Sequence, residues 1–158
     1  MSHRAVAGVI LALVAGSGQS MQAQPAAVAV NLLSVVPGTP AGVNDWCVGD
    51  LATNRQIVLT AEVRGSQGLI TEGSVVWQTC GNRLGGLPKE ECERGGSGRW
   101  QTQVMTFVLV DSTTHEIGTS FPAPILGWRL QYKPTRGSGK KTATATSTPF
   151  NLDRTCSP

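Results

Sequence analysis

The stretch RQIVLTAEVR, from Arg55 to Arg64, alternates apolar and polar side chains through its second half. Every second residue from Ile57 to Val63 is apolar. The intervening residues Thr60 and Glu62 are polar and face the other way. A period of two is typical of a β-strand that buries one face and exposes the other. The stretch therefore predicts a half-buried strand.

Similar segments occur on both sides of this strand and are separated by residues typical of turns. Pro122 and Pro124 exclude a central strand from 111–124, which we expect to be a loop with a short edge piece at 116–120. Residues 37–54 are rich in turn formers, and 81–98 is the longest irregular stretch. The further predicted strands are 28–36, 74–79 with Val75 and Trp77 inward, 99–110, 127–133 with Trp128, Leu130 and Tyr132 inward, and 142–152 with Phe150 and Leu152.

Composition agrees with a single all-β domain. The chain has 158 residues, of which 15% are charged, and it contains 19 glycines and 9 prolines. Helical proteins use Glu, Lys, Leu and Ala at higher density, and we find no sustained helical period beyond Gly16. The net charge is +3, or +2 without Arg4, and the cations are scattered, so nucleic acid is not an expected partner.

The N-terminus has the anatomy of a secretory signal. Arg4 precedes an apolar run from Ala5 to Gly16, which is too short to span a bilayer. Small residues permit cleavage after Ser20 or after Ala29, and the sequence does not choose between them. We predict a signal peptide within 1–29, a mature domain at 30–158, no stable membrane insertion after cleavage, and a secreted or periplasmic location.

Four cysteines, an even number, lie in the predicted exported part. In an oxidising compartment they are expected to form two disulfides, for which three pairings exist. The spacing favours Cys80 with Cys92, around a glycine-rich loop, and Cys47 with Cys156, at the two ends of the patterned region. The paired short spacings of a zinc site are absent from the sequence.

Three short motifs follow one another in the order found in a known family. They are L-T-A-x-V from Leu59, G-x-V-x-W from Gly73, and L-G-W-R-L-Q-Y from Leu126. Together they resemble the bacterial immunoglobulin-like domains of surface and secreted proteins, over about residues 55–150. The resemblance implies an immunoglobulin-like antiparallel β-sandwich, in line with the roughly seven strands that the alternating segments predict. The two predicted disulfides would stabilise it, although a cysteine pair around residues 81–91 is not part of the family's pattern. It implies no activity, since such domains serve as spacers, adhesin stalks and ligand-presenting modules.

The chain departs from the antibody-type pattern at one informative position. Antibody-type domains place a cysteine two residues after the corner tyrosine, where this chain has Pro134. A disulfide between the second and sixth strands of the antibody kind is therefore excluded.

The sequence carries little catalytic equipment. After signal removal, His115 is the one histidine, and it lies in a polar turn without a G-x-S-x-G nucleophile motif elsewhere. Asp45 and Asp50 could supply oxygen ligands to calcium, but the regular acidic spacing of calcium loops is absent. We predict no enzyme activity, no cofactor and no bound metal.

Two features remain as candidates for binding a protein or glycan ligand. The loop between Cys80 and Cys92 contains Leu84, Leu87, Pro88 and Lys89, and a closed ring loses less entropy when it docks. The alternative is a purely structural disulfide, which holds this loop in place because the loop is long and rich in glycine.

Trp46 and Trp100 fall outside the predicted core-facing sets, and exposed tryptophans stack on sugars or proteins. Trp100 can equally cover the end of the sandwich.

The sequence therefore supports two hypotheses of function. The first is an exported, non-enzymatic immunoglobulin-like module with a structural, adhesive or ligand-binding role. The second is a secreted inhibitor, or a module that targets a carbohydrate or protein, with the Cys80–Cys92 loop as its contact surface.

Overall fold

The computed structural model of the chain describes residues 27–50, 56–96, 98–107, 113–118, 123–135 and 144–157, with the backbone alone in 104–107 and 113–118. Most of the predicted signal segment, the predicted strand end at 108–110 and the start of the last predicted strand lie outside these ranges.

The described residues form strands and one short helix. The strands are β1 (Ala29–Val36), β2 (Thr39–Gly42), β3 (Asp45–Cys47), β4 (Gln56–Gly65), β5 (Gly68–Leu69), β6 (Ser74–Asn82), β7 (Gly85–Gly86), β8 (Arg99–Phe107), β9 (Thr113–Gly118), β10 (Ile125–Lys133), β11 (Ala145–Thr146) and β12 (Phe150–Asp153). The helix α1 (Lys89–Glu93) lies between β7 and β8. The prediction of a β fold is thus confirmed in its coarse form, since the described residues are mostly strand.

The strands form two sheets. In the smaller sheet β4 is central, with β1 along one edge and β9 and β5 along the other, all antiparallel. In the larger sheet the order is β2-β3-β12-β10-β6, and β8 pairs with β6 on the side away from β10. The short strands β7 and β11 extend the pairing of β6 and β10. The pair β3–β12 is parallel.

One apolar core draws side chains from both sheets. The alternating residues of β4, from Ile57 to Val63, are buried, as predicted, and so are Tyr132 and Phe150 on the larger sheet. At the centre, the rings of Trp77 and Trp128 stack with centroids 4.9 Å apart. The inward residues predicted for 74–79 and 127–133 are thus confirmed.

The chain contains more strands than the roughly seven that we expected. The additional ones are short and lie where we predicted turns, as β2 and β3 do within 37–54 and β7 does within 81–98. β3 is three residues long and pairs with β12, about a hundred residues further along the chain. Such pairing depends on the sheet edge that the fold supplies, so local alternation does not reveal it.

Two segments differ in detail from their predictions. The edge piece expected at 116–120 is the six-residue strand β9, Thr113–Gly118, which pairs with β4. The irregular stretch 81–98 contains α1, a helix of five residues without a side-chain cap. A helix this short is stabilised by what it packs against rather than by its sequence.

Both disulfides follow the pairing that the spacing favours. Cys47 bonds to Cys156 with a sequence separation of 109, and Cys80 bonds to Cys92 with a separation of 12. Two disulfides indicate an oxidising compartment. Within the described ranges, no helix has the length and apolar character that crossing a membrane requires.

Candidate functional site

The loop closed by the Cys80–Cys92 disulfide packs against the larger sheet. The amide of Leu87 donates a hydrogen bond to the carbonyl of Cys80 at 2.9 Å, and the amide of Gly127 donates to the carbonyl of Leu87 at 2.8 Å. Leu87, Pro88 and Lys89 are each half-buried. The residues that we predicted as a contact surface are therefore engaged with β6 and β10.

Lys89 joins this loop to β3 of the same sheet. Its ammonium group donates to Oδ1 of Asp45 at 2.5 Å, and its side chain is 12% exposed. Its amide donates to Oδ1 of Asn151 at 2.9 Å, and the side-chain amide of Asn151 in turn donates to the carboxylate of Glu90 at 3.2 Å. The cation of Lys89 is thus neutralised within the fold, which gives it a structural role.

Gly127 makes this docking possible. A Cβ atom at position 127 would lie 2.4 Å from the amide nitrogen of Lys89 and 2.9 Å from the carbonyl carbon of Pro88. Both are backbone atoms, which cannot rotate away. Only a residue without a side chain lets the loop approach β10 this closely.

The part of the loop that projects into solvent is its tip. Arg83 and Leu84 form a two-residue turn between β6 and β7, in which Oδ1 of Asn82 accepts a hydrogen bond from the amide of Leu84. The Leu84 side chain is 96% exposed. It borders a groove shared with Arg99 and Gln101. Of the four loop residues considered for partner contact, Leu84 is thus the exposed one, whereas Leu87, Pro88 and Lys89 are half-buried.

Trp46 lies at the other edge of the larger sheet. It is half-buried and borders a cleft of about 220 Å³. The cleft lies between β1, β2, β3 and the segment before β12, and its polar lining includes Asn31, Asp45 and Ser147. Asp45 is the acceptor for Lys89, so Trp46 is close to the docked loop. Trp46 therefore lies in β3, near the edge of the larger sheet and next to the residue that holds the docked loop.

Trp100 belongs to a different cluster, on the side of β8, β6 and β10 that faces away from the core. The guanidinium carbon of Arg129 lies 4.7 Å from the centre of the Trp100 ring. Nε of Arg129 donates to Oε1 of Gln78 at 2.6 Å. Nε2 of Gln78 donates to Oγ1 of Thr102 at 3.1 Å and to Oε1 of Gln131 at 3.5 Å. We call these five residues the outer patch.

The register of the strands places these side chains together. Gln78 lies opposite Arg129 on β10 and opposite Thr102 on β8. Its neighbour Trp77 points into the core, so Gln78 points outward because side chains alternate along a strand. The adjacent strands β8, β6 and β10 thus present a continuous row of planar and polar groups.

Arg129 is the charged centre of the outer patch. Burial lowers the pKa of its guanidinium, which nevertheless stays protonated near neutral pH. Among the residues that the structure describes, no carboxylate forms a salt bridge with it. An amide oxygen and an aromatic face compensate its charge instead, which is the weaker kind of compensation.

The structure separates the predicted site residues into two groups. Lys89 pairs with Asp45, which precedes Trp46 in β3, whereas Trp100 lies in β8, at the far side of β6. Sequence reasoning missed Gln78 and Arg129. The outward positions of their strands are readable from the alternation, but the register that makes them neighbours is not.

The acidic residues considered for calcium are in ion pairs. Asp45 pairs with Lys89, and Asp50 accepts from Arg154 at 3.0 Å. Within the described part of the chain, no three His, Cys, Asp or Glu residues are grouped closely enough to hold a metal ion. The side chain of His115 lies outside the described residues, so its surface role stays a prediction.

Comparison with models of known protein families finds no family that matches this chain, and comparison with curated proteins finds no similar sequence.

Proposed function

We propose that this chain is an exported, non-enzymatic module of the immunoglobulin-like class that binds a ligand at the outer patch. The strand order supports the class. The order β1-β4-β9 corresponds to strands A, B and E of such a sandwich, and β8-β6-β10-β12 corresponds to C′, C, F and G. The tryptophan in β6 and the tyrosine in β10 occupy the expected strands, although Tyr132 bonds to a residue far upstream rather than to a nearby one.

The start of β1 bears on where the signal would be cleaved. Val28 packs against the core, and Ala29 pairs with Arg64 on β4. Cleavage after Ala29 would remove both contacts, whereas cleavage after Ser20 would keep them. We therefore favour Ser20 as the cleavage point in a secreted or periplasmic protein, and mass spectrometry of the exported form tests this choice.

One observation carries the binding role. Arg129 is a partly buried cation without a carboxylate partner among the described residues, and it lies on a sheet face between Trp100 and Gln78. Desolvating a charge is unfavourable unless something compensates it. Gln78 and the Trp100 ring supply part of that compensation, and a ligand carboxylate that pairs with Arg129 would supply the stronger, ionic part.

The test is a titration of the isotope-labelled protein with polysaccharide and protein fractions from the extracellular medium, followed by NMR. Binding at the outer patch shifts the side-chain resonances of Trp100 and Gln78. The variant Arg129→Gln should lose the shifts, while Arg64→Gln should keep them. Arg64 is a suitable control because it carries the same charge and pairs with Glu62 on the smaller sheet. Shifts confined to other surfaces would contradict the proposal.

The exposure of Leu84 favours a second candidate, an inhibitor or targeting module that contacts its partner through the loop tip. An apolar side chain that is 96% exposed on a stapled turn is a suitable anchor for a protein pocket. Leu84→Glu should abolish binding in this case and leave the fold intact. Replacing Cys80 and Cys92 by serine separates the roles further. Lost binding with an unchanged fold favours the loop, and lost folding indicates a structural staple.

A further inference from the structure

The hydrogen bonds of the outer patch run in one direction and begin at Arg129, whose guanidinium keeps unused donors. Arg129 donates to Gln78 through Nε, and Gln78 donates onward to Thr102 and Gln131. Each receiving oxygen accepts one hydrogen bond and keeps a second lone pair. The donors left over are the two Nη nitrogens of Arg129, the Nε2 of Gln131 and the hydroxyl hydrogen of Thr102.

The charge of Arg129, which has no carboxylate partner among the described residues, favours an anionic ligand. A guanidinium whose Nε is occupied still offers its Nη hydrogens, which suit the two oxygens of a carboxylate. The neighbouring amide and hydroxyl also act as donors. A cation or a metal ion would meet the positive charge of Arg129 and is excluded. The patch therefore suits an acceptor-rich anion.

The surroundings distinguish an acidic sugar from an acidic protein surface. Protein interfaces have an apolar centre with anchoring side chains. The strongly exposed large apolar residues of the described chain all lie outside the outer patch, and they are Leu33, Val36, Val43, Leu69 and Leu84. The patch offers a flat row of amide, hydroxyl and guanidinium groups, which matches a ligand dense in hydroxyls.

We propose that the outer patch binds a uronic acid residue of an acidic extracellular polysaccharide, a proposal that rests on the binding role given above. Arg129 receives the sugar carboxylate, and Thr102 and Gln131 donate to oxygens of the sugar. Trp100 is a positioning residue. Its ring already contacts the guanidinium at 4.7 Å, and this contact holds the plane of Arg129 in a fixed orientation.

The experiment measures binding of an oligogalacturonate by calorimetry, with the carboxyl-reduced oligosaccharide and a polyglutamate peptide as matched probes. We expect the oligogalacturonate to bind and the reduced oligosaccharide to bind at least about tenfold more weakly, since charged hydrogen bonds are the stronger kind. The affinity should fall with added salt. Arg129→Gln should weaken binding about ten- to a hundredfold. Arg64→Gln should change it little.

Arg129→Lys keeps the charge but removes the planar fork, and we expect it to recover only part of the affinity. Trp100→Phe should weaken oligogalacturonate binding and lower its selectivity over the reduced sugar. Equal binding of the reduced oligosaccharide overturns the uronic acid assignment, and so does tighter binding of polyglutamate. In either case, shifts at the outer patch leave the binding role standing. If no extracellular fraction shifts the patch, the binding role itself fails.

Discussion

The hydroxyl of Tyr132 donates a hydrogen bond to the main-chain carbonyl of Glu72 at 2.8 Å. It thereby joins β10 to the turn that enters β6. The approach requires Gly73, which has φ of 114° and at which a Cβ atom would lie 2.6 Å from Cε2 of the tyrosine ring. A position with positive φ favours glycine. One glycine thus fixes both the turn and the place of the tyrosine.

Replacing Tyr132 by phenylalanine should lower the free energy of unfolding by about 1 kcal/mol. The ring keeps its packing, while the hydrogen bond to Glu72 is lost. The main-chain carbonyl of Glu72 must then be hydrated instead. Urea denaturation measures the change. Gly73→Ala should be more harmful, because it combines a strained backbone with a clash. A tyrosine-free variant as stable as the parent would show that the hydrogen bond contributes nothing.

The same tyrosine gives the protein an alkaline pH dependence. Burial, and then the nearby charge of Glu72, raise the pKa of Tyr132. In the unfolded chain a tyrosine ionises near pH 10. Between pH 10 and the higher pKa of the folded protein, the tyrosine of the unfolded chain is already ionised while that of the folded protein is not. The stability that is present below pH 10 is therefore lost as the pH rises towards the folded pKa.

The measurement is direct because Tyr132 is the single tyrosine of the sequence. Tyrosinate absorbance should titrate at higher pH in the folded protein than in urea. The stability advantage of the parent over Tyr132→Phe should shrink as pH rises above about 10. A folded midpoint at or below the unfolded one would contradict the burial of this hydroxyl.

The contrast between β4 and β3 shows how far local sequence determines this fold. The alternation from Ile57 to Val63 predicts a strand and its buried face, and the four alternate residues Ile57, Leu59, Ala61 and Val63 are all buried. β3 has three residues, of which Trp46 and Cys47 are apolar, and it exists because β12 lies beside it. Long alternating strands carry their own signal, whereas a short edge strand takes its structure from its neighbour.

The outer patch shows the same limit for the candidate site. Trp100 was identified from its residue type, yet its partner Arg129 lies 29 positions away and Gln78 lies on a third strand. Their contact depends on the registers of two strand pairs, one of which shifts between Trp77 and Gln78. Composition and periodicity contain no information on that shift.

Gly127→Ala should detach the stapled loop from the larger sheet. The added methyl group would overlap the backbone of Pro88 and Lys89, and we expect a loss of about 1–3 kcal/mol, as in other overpacked sites. Hydrogen exchange of the Lys89 amide, which is bonded to Asn151, should accelerate. Gly96→Ala is the matched control, since its nearest neighbour would lie 4.0 Å from the new atom. Equal effects of the two variants would argue against the docking role.

Removing the two disulfides separately should have unequal effects. On the chain-entropy argument, the long Cys47–Cys156 loop contributes about 5 kcal/mol and the short Cys80–Cys92 loop about 3 kcal/mol. We therefore expect the double alanine variant at Cys47 and Cys156 to lose about 2 kcal/mol more than the variant at Cys80 and Cys92. Denaturation of both variants in the same buffer measures the difference.

The local contacts of the short disulfide provide the competing explanation. Cys80 is fully buried, and Gly98 packs against both sulfur atoms, which a Cβ at position 98 would approach to 3.1 and 3.2 Å. If the Cys80–Cys92 variant loses as much stability as the other, packing around these sulfurs outweighs loop entropy. Gly98→Ala with the disulfide intact then distinguishes the two, because it disturbs the packing and leaves the length of the closed loop unchanged.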